Sequence, residues 1–115
     1  MMNEINEVVE SYNSYIQNIA PGSLQIAEHL RRDEVQQALQ LILQFSEGMG
    51  WLVQATDLLK ENDVIVTLQV EQIHEFLNEI NNGLQIQDYV LVADMFEYEI
   101  APFFENVTAI EGIEQ

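Results

Sequence analysis

Between residues 5 and 30 an apolar stripe runs at helical spacing straight through a Pro-Gly pair, and nothing else in the chain limits the fold so tightly. Ile5, Val8, Val9, Tyr12, Tyr15, Ile16 and Ile19 share one face at about 100° per residue, with Glu4, Glu7 and Glu10 turned away from it. Beyond Pro21-Gly22, Ser23, Ile26, Ala27 and Leu30 continue that face without a slip, and Pro21 lies on the opposite side. The pattern predicts one helix over residues 3–32, kinked at Pro21, where the bond to the Gln17 carbonyl is lost. Two helices split near residue 21 is the alternative.

The rest of the chain keeps the same period. Asp33 is placed to cap a second helix, with Val35, Ala38, Leu39, Ile42, Phe45, Met49, Val53 and Thr56 inward. Lys60-Glu61-Asn62-Asp63 closes it and caps the next. A third helix is expected over residues 64–82 on Val66, Val70, Ile73, Leu77 and Ile80. Its opening, VIVTLQV, is β-branched and reads as a strand on propensity alone, but the spacing through Ile80 favours helix. Asn81-Asn82-Gly83 reads as a stop. A fourth helix over residues 86–106 uses Ile86, Tyr89, Val90, Ala93, Phe96, Ile100 and Phe104, with Pro102 pointing out and kinking rather than ending it. The expectation is all-α: an antiparallel four-helix bundle with a long, Pro-kinked first helix, as a single domain over residues 1–115.

Charge decides which partners are possible. Twenty acidic residues face three basic ones, a formal −17, in a chain that is 48% hydrophobic and so globular rather than disordered. Such a field repels nucleic acid and anionic membrane surfaces; it suits a partner protein with basic regions, a cation, or solubility alone. Arg31, Arg32 and Lys60 fall at predicted helix C-termini, where cations complement the dipole, leaving no basic patch for a site. With no cysteine there is no disulfide, thiol nucleophile or thiolate metal site. The acidic N-terminus has the wrong charge for a signal or transit peptide, and no apolar run approaches the ~18 to 20 residues of a membrane helix. The sequon Asn106-Val107-Thr108 reads as chance, and the expected location is cytoplasmic.

The segment ADMFEYEIAPFFE, residues 93–105, gathers four carboxylates and four aromatics around one proline. Ala93, Phe96, Ile100, Phe103 and Phe104 turn inward, while Asp94, Glu99 and Glu105 lie outside the centre of that face. Glu97 falls on the apolar stripe between Val90 and Ala93. A buried carboxylate must be neutral, hydrogen-bonded or paired. The expectation is a buried Glu97 bonded to a hydroxyl or backbone group of a facing helix; a functional carboxylate in a cavity and a rim position are the alternatives. Glu71 and His74 match one Glu-x-x-His step of a di-iron bundle, but such sites need two steps and two further glutamates, and both residues lie beside the core stripe. No calcium loop, phosphate loop or local nucleophile signature occurs. No metal, cofactor or enzymatic activity is expected.

The second helix carries surplus apolar residues: Leu41, Gly48, Leu52, Ala55 and Leu59 form a second line, with Trp51 and Leu58 further round. Either it is the most central helix or this line meets another chain. Gly48, Trp51, Leu52, Ala55 and Leu58 are therefore the expected partner surface, as a two-fold homodimer or against a different protein.

DYVLVADMFEYEIAP at residues 88–102 resembles a pattern in small acidic helical proteins of Gram-positive bacteria, where an Asp-containing turn leads into Ala-Asp, Glu-Tyr-Glu and a proline. PGSLQIAEHLRRDEVQQAL at 21–39 and EGMGWL at 47–52 are similar to other parts of it. The resemblance implies a bacterial cytoplasmic helical bundle; the group has no known activity and transfers no site residue. In size, charge and helicity alone the chain is also similar to flagellar export chaperones. The functional expectation is a non-enzymatic interaction or chaperone-like bundle, the alternative a carboxylate-based metal or small-ligand protein. A DNA mimic is disfavoured, because its carboxylates would cluster on one surface.

Overall fold

The computed structural model describes residues 2–111. Helix α1, Met2–Arg31, runs unbroken through Pro21, in keeping with the phase of its stripe, and its 30 residues span most of the 50 Å long axis. Pro21 faces solvent while Ala20 and Ser23, on either side, are buried. The proline ring thus costs one hydrogen bond on the wet side, where water can replace it. Helix α2, Val35–Glu61, returns along α1, and α3, Val70–Gln85, leads by a short turn into the fourth rod, residues 89–105.

Direction follows from two contacts. Arg31, at the end of α1, reaches Asp94 and Glu97 near the start of the fourth rod, while Asn13 bonds Ile110 beyond its end. The rod is therefore antiparallel to α1, which packs along both it and α2; α3 packs mainly on the rod's beginning. Four helices form one bundle around a continuous core that includes Tyr12, Ile16, Met49, Leu52, Ile73, Ile80, Phe96 and Ile100. Edge-to-face pairs, Phe45–Phe96 at 5.2 Å and Phe76–Phe103 at 5.4 Å, tie α2 and α3 to the rod.

Three boundaries differ from the sequence expectation, for one shared reason and two local ones. Asp33 and Asp63 cap nothing; with Gln87 they adopt positive φ, at 61°, 66° and 57°. Each is followed by a residue whose N–H reaches five residues back: Glu34 to His29 at 2.8 Å, Val64 to Leu59 at 2.9 Å and Asp88 to Gly83 at 2.9 Å. These are Schellman closures built without glycine, so α1, α2 and α3 all end by the same device. Residues 64–69 are not helical, and α3 starts at Val70. The run Val64-Ile65-Val66-Thr67 would lose side-chain freedom in a helix, and the segment instead alternates: Val66 and Leu68 buried, Ile65, Thr67 and Gln69 exposed. Asn81-Asn82-Gly83 does not stop α3. Gly83 is buried inside it, and a Cβ there would lie 2.7 Å from Val92 Cγ2, so the fourth rod needs that space.

The fourth rod begins as α4, Tyr89–Met95, where Asp88 accepts a bond from the Leu91 N–H at 3.1 Å. Ile86 and Val90, expected inside, are among the most exposed apolar residues. A π turn, Phe96–Ile100, follows, with the Ala101 N–H bonded to the Phe96 carbonyl, and the rod ends as α5, Ala101–Glu105. The wider turn brings both Ile100 and Ala101 inward and lets the helix pass Pro102, which has no N–H to offer.

Candidate functional site

At the end of the bundle opposite the α1–α2 turn, an apolar groove of about 870 Å³ opens between four stretches of chain. Its floor is Ile5 and Val8 of α1 and Leu58 of α2. One wall is the alternating segment, through Val64, Ile65 and Thr67; the other is residues 108–111. The period-two burial that keeps 64–69 out of a helix also turns Ile65 outward, 85% exposed. The second wall is held by a two-pronged clamp: Asn13 Nδ2 donates to the Ile110 carbonyl and the Ile110 N–H donates to Asn13 Oδ1, both at 2.8 Å. Val107 and Ile110 also pack on the core.

The electrostatics are one-sided. Glu4, Asp63 and Glu111 stand at the groove and none of its lining residues is basic. Volume and lining suit the apolar side chains of a ligand or peptide. The groove's polar lining is Glu4, Asn62, Asp63, Thr67, Thr108 and Glu111. One turn along α1 from Val8, the Tyr12 phenol is fully buried without a hydrogen-bond partner among the described residues, and desolvation pushes its pKa up to about 12.

The expected partner surface divides. Leu52 and Ala55 lie in the chain's own core, and Gly48 is closed off from the inside, because a side chain there would collide with the Tyr15 hydroxyl. Tyr15 packs edge-on to Trp51 at 5.9 Å, and burial raises its pKa. Trp51 and Leu58 alone keep an outward face, with 38% and 42% exposure, and of these only Leu58 reaches the groove. The second apolar line of α2 is thus largely its seam with α1.

Glu97 is also corrected: it is half-exposed and ion-paired, not buried against a hydroxyl. Its Oε1 accepts from Arg31 Nε at 3.1 Å and Nη2 at 2.8 Å, and Arg31 Nη2 also reaches Asp94 Oδ1 at 2.9 Å. Hydrogen bonds to Asp94 and Glu97 push the guanidinium pKa further up. Arg32 pairs with Glu28 at 2.8 Å, and His29 Nδ1 lies 2.7 Å from Glu34 Oε1. Glu71 and His74 are exposed on α3, and no three His, Asp or Glu residues converge among the described residues. No described helix is long and apolar enough to cross a membrane.

Helical spacing predicts a helix over residues 64–69 and so does not reveal the groove wall that this segment forms. The signal was present: VIVTLQV carries the β-branched run that the helical reading overrode.

Residues 7–110 match the model of a domain of unknown function (DUF8042), and the chain belongs to that family. Val8, Leu58, the alternating segment and Ile110 fall inside the matched region; Glu4, Ile5 and Glu111 fall outside it. No curated protein and no solved structure matches the chain.

Proposed function

We propose that this member of the DUF8042 family is a non-enzymatic protein-binding bundle that takes an apolar segment of a basic partner protein into the end groove. The groove itself carries the reading: apolar side chains at floor and wall, and acidic residues at the rim. The formal charge of −17 steers a basic partner over long range, and the apolar residues hold it once docked. A cytoplasmic setting, without disulfides, goes with this role. A two-fold dimer through α2 has less behind it, since only Trp51 and Leu58 of its expected surface face outward and two such charged chains repel.

The test is affinity purification from the source cell with wild type and with a folded Leu58→Asp/Ile65→Asp variant as baits. A basic protein retained by the first and lost from the second is the expected result. Equal recovery on both baits, or no specific partner on wild type, would exclude the groove as the docking site.

A further inference from the structure

The alternating segment has a second property besides its apolar side chains. Among the described residues, no backbone N–H or C=O of Ile65, Val66, Thr67 or Leu68 makes a hydrogen bond with the protein. The neighbouring groups are engaged at both ends: the Val64 N–H with the Leu59 carbonyl, and the Gln69 carbonyl with the Gln72 N–H. Between them the chain shows neither turn nor bend, and Gln69 lies in the extended region at φ −90°, ψ 98°. An extended chain presents the N–H and C=O of alternate residues along one edge, and such an edge is a template for another strand. Val66 and Leu68 are buried residues, which raises the cost of leaving their backbone groups unpaired. Thr108 and Ala109, in the opposite wall, likewise make no backbone bond among the described residues.

We infer that the groove recognises its partner as an added β-strand: an extended peptide with apolar residues at alternate positions and Lys or Arg at its ends, hydrogen-bonded along one edge to the backbone of alternate residues within 65–68. This rests on the protein-binding reading and adds the conformation and chemistry of what is bound. Alternate side chains of the incoming strand enter the space over Ile5, Val8 and Leu58, while its basic ends meet Glu4, Asp63 and Glu111. The same charges oppose a second copy of the chain as occupant. In an antiparallel self-pairing of 64–70, the flanking Asp63 and Glu71 of the two copies would face each other, on top of a −17 repulsion between whole molecules.

The experiment uses the full chain and three labelled peptides: KRVTVTVTVRK, the same peptide N-methylated at alternate amides, and the amphipathic helix-former KRLAKLLAKLARK. Affinity is read by fluorescence anisotropy and backbone protection by amide hydrogen exchange. The expected result is binding of the first peptide, with exchange at alternate amides within residues 65–68 slowed by about 10-fold or more. N-methylation should weaken binding by about 10-fold or more, the loss of one or two backbone hydrogen bonds. Affinity should fall between about 50 and 300 mM salt. Preference for the helical peptide, or binding without protection of 65–68, overturns the strand mode; if Leu58→Asp still abolishes that binding, the groove reading survives it. Failure of all three peptides at millimolar concentration overturns the inference, and the bait experiment then decides the groove reading separately. Protection of 65–68 that rises with protein concentration in the absence of peptide identifies a second copy as the occupant and also overturns it.

Discussion

Burying the Tyr12 phenol without a hydrogen-bond partner among the described residues sets an alkaline limit on the fold. Its folded-state pKa is about 12 against an ordinary 10, so the neutral form is favoured in the native protein. The sign follows: this stability is fully present below pH 10 and is lost as pH rises from 10 through 12. Two units correspond to about 3 kcal/mol. Tyr12→Phe removes both the titration and the unpaired hydroxyl. Urea unfolding should therefore show no loss of stability for this variant at pH 7 and a flatter decline above pH 10. A midpoint clearly below wild type at pH 7 would mean the hydroxyl has a partner, such as buried water. That Tyr12 faces inward is legible from its place on the α1 stripe. What covers the apolar residues of α2 is not: Leu52 and Trp51 are adjacent apolar residues in the sequence, yet Leu52 is fully buried in the core while Trp51, edge-on to Tyr15, keeps an outward face. Glu97 failed in the same way. Its partner, Arg31, is 66 positions away, and no local pattern encodes which cation crosses that distance.

The helices themselves were legible because period, length and stripe agree over long runs; their ends were not. A C-terminal signal usually contains glycine, and here Asp33, Asp63 and Gln87 occupy the left-handed position. Aspartate tolerates that conformation better than glutamine. Gln87→Gly should accordingly raise stability by about 0.5 to 1 kcal/mol, whereas Asp88→Ala, which removes the α4 cap, should lower it by about 1 kcal/mol. Adjacent substitutions thus move the urea midpoint in opposite directions. The same sign for both would mean that the turn is held by something other than its local geometry. At the start of α3 two local rules competed. Helical spacing through Ile80 suggested one answer and the β-branched run Val64-Ile65-Val66-Thr67 another; the run prevailed over residues 64–69, and with it came the groove wall.

Across the whole molecule, charge works against compactness, because twenty acidic residues face three basic ones in a chain whose described residues pack into 50 × 21 × 21 Å. The Arg31 and Arg32 pairs offset only a little of this, since all their members are partly or fully solvent-exposed. Raising salt from about 10 to 150 mM shortens the screening length from ~30 to ~8 Å. Screening should weaken repulsion more than it weakens those pairs, so the urea midpoint should rise with salt; a fall would show that the ion pairs dominate. The layout of the chain also has a practical side. Glu4 and Glu111 both border the groove, so a tag or resin tethered near either described end sits at its mouth. Gln36, exposed at the first turn of α2, lies at the far end of the bundle, about 45 Å away along a 30-residue helix. Because the chain has no cysteine of its own, a single thiol introduced at position 36 would orient every molecule on a surface with the groove facing solution.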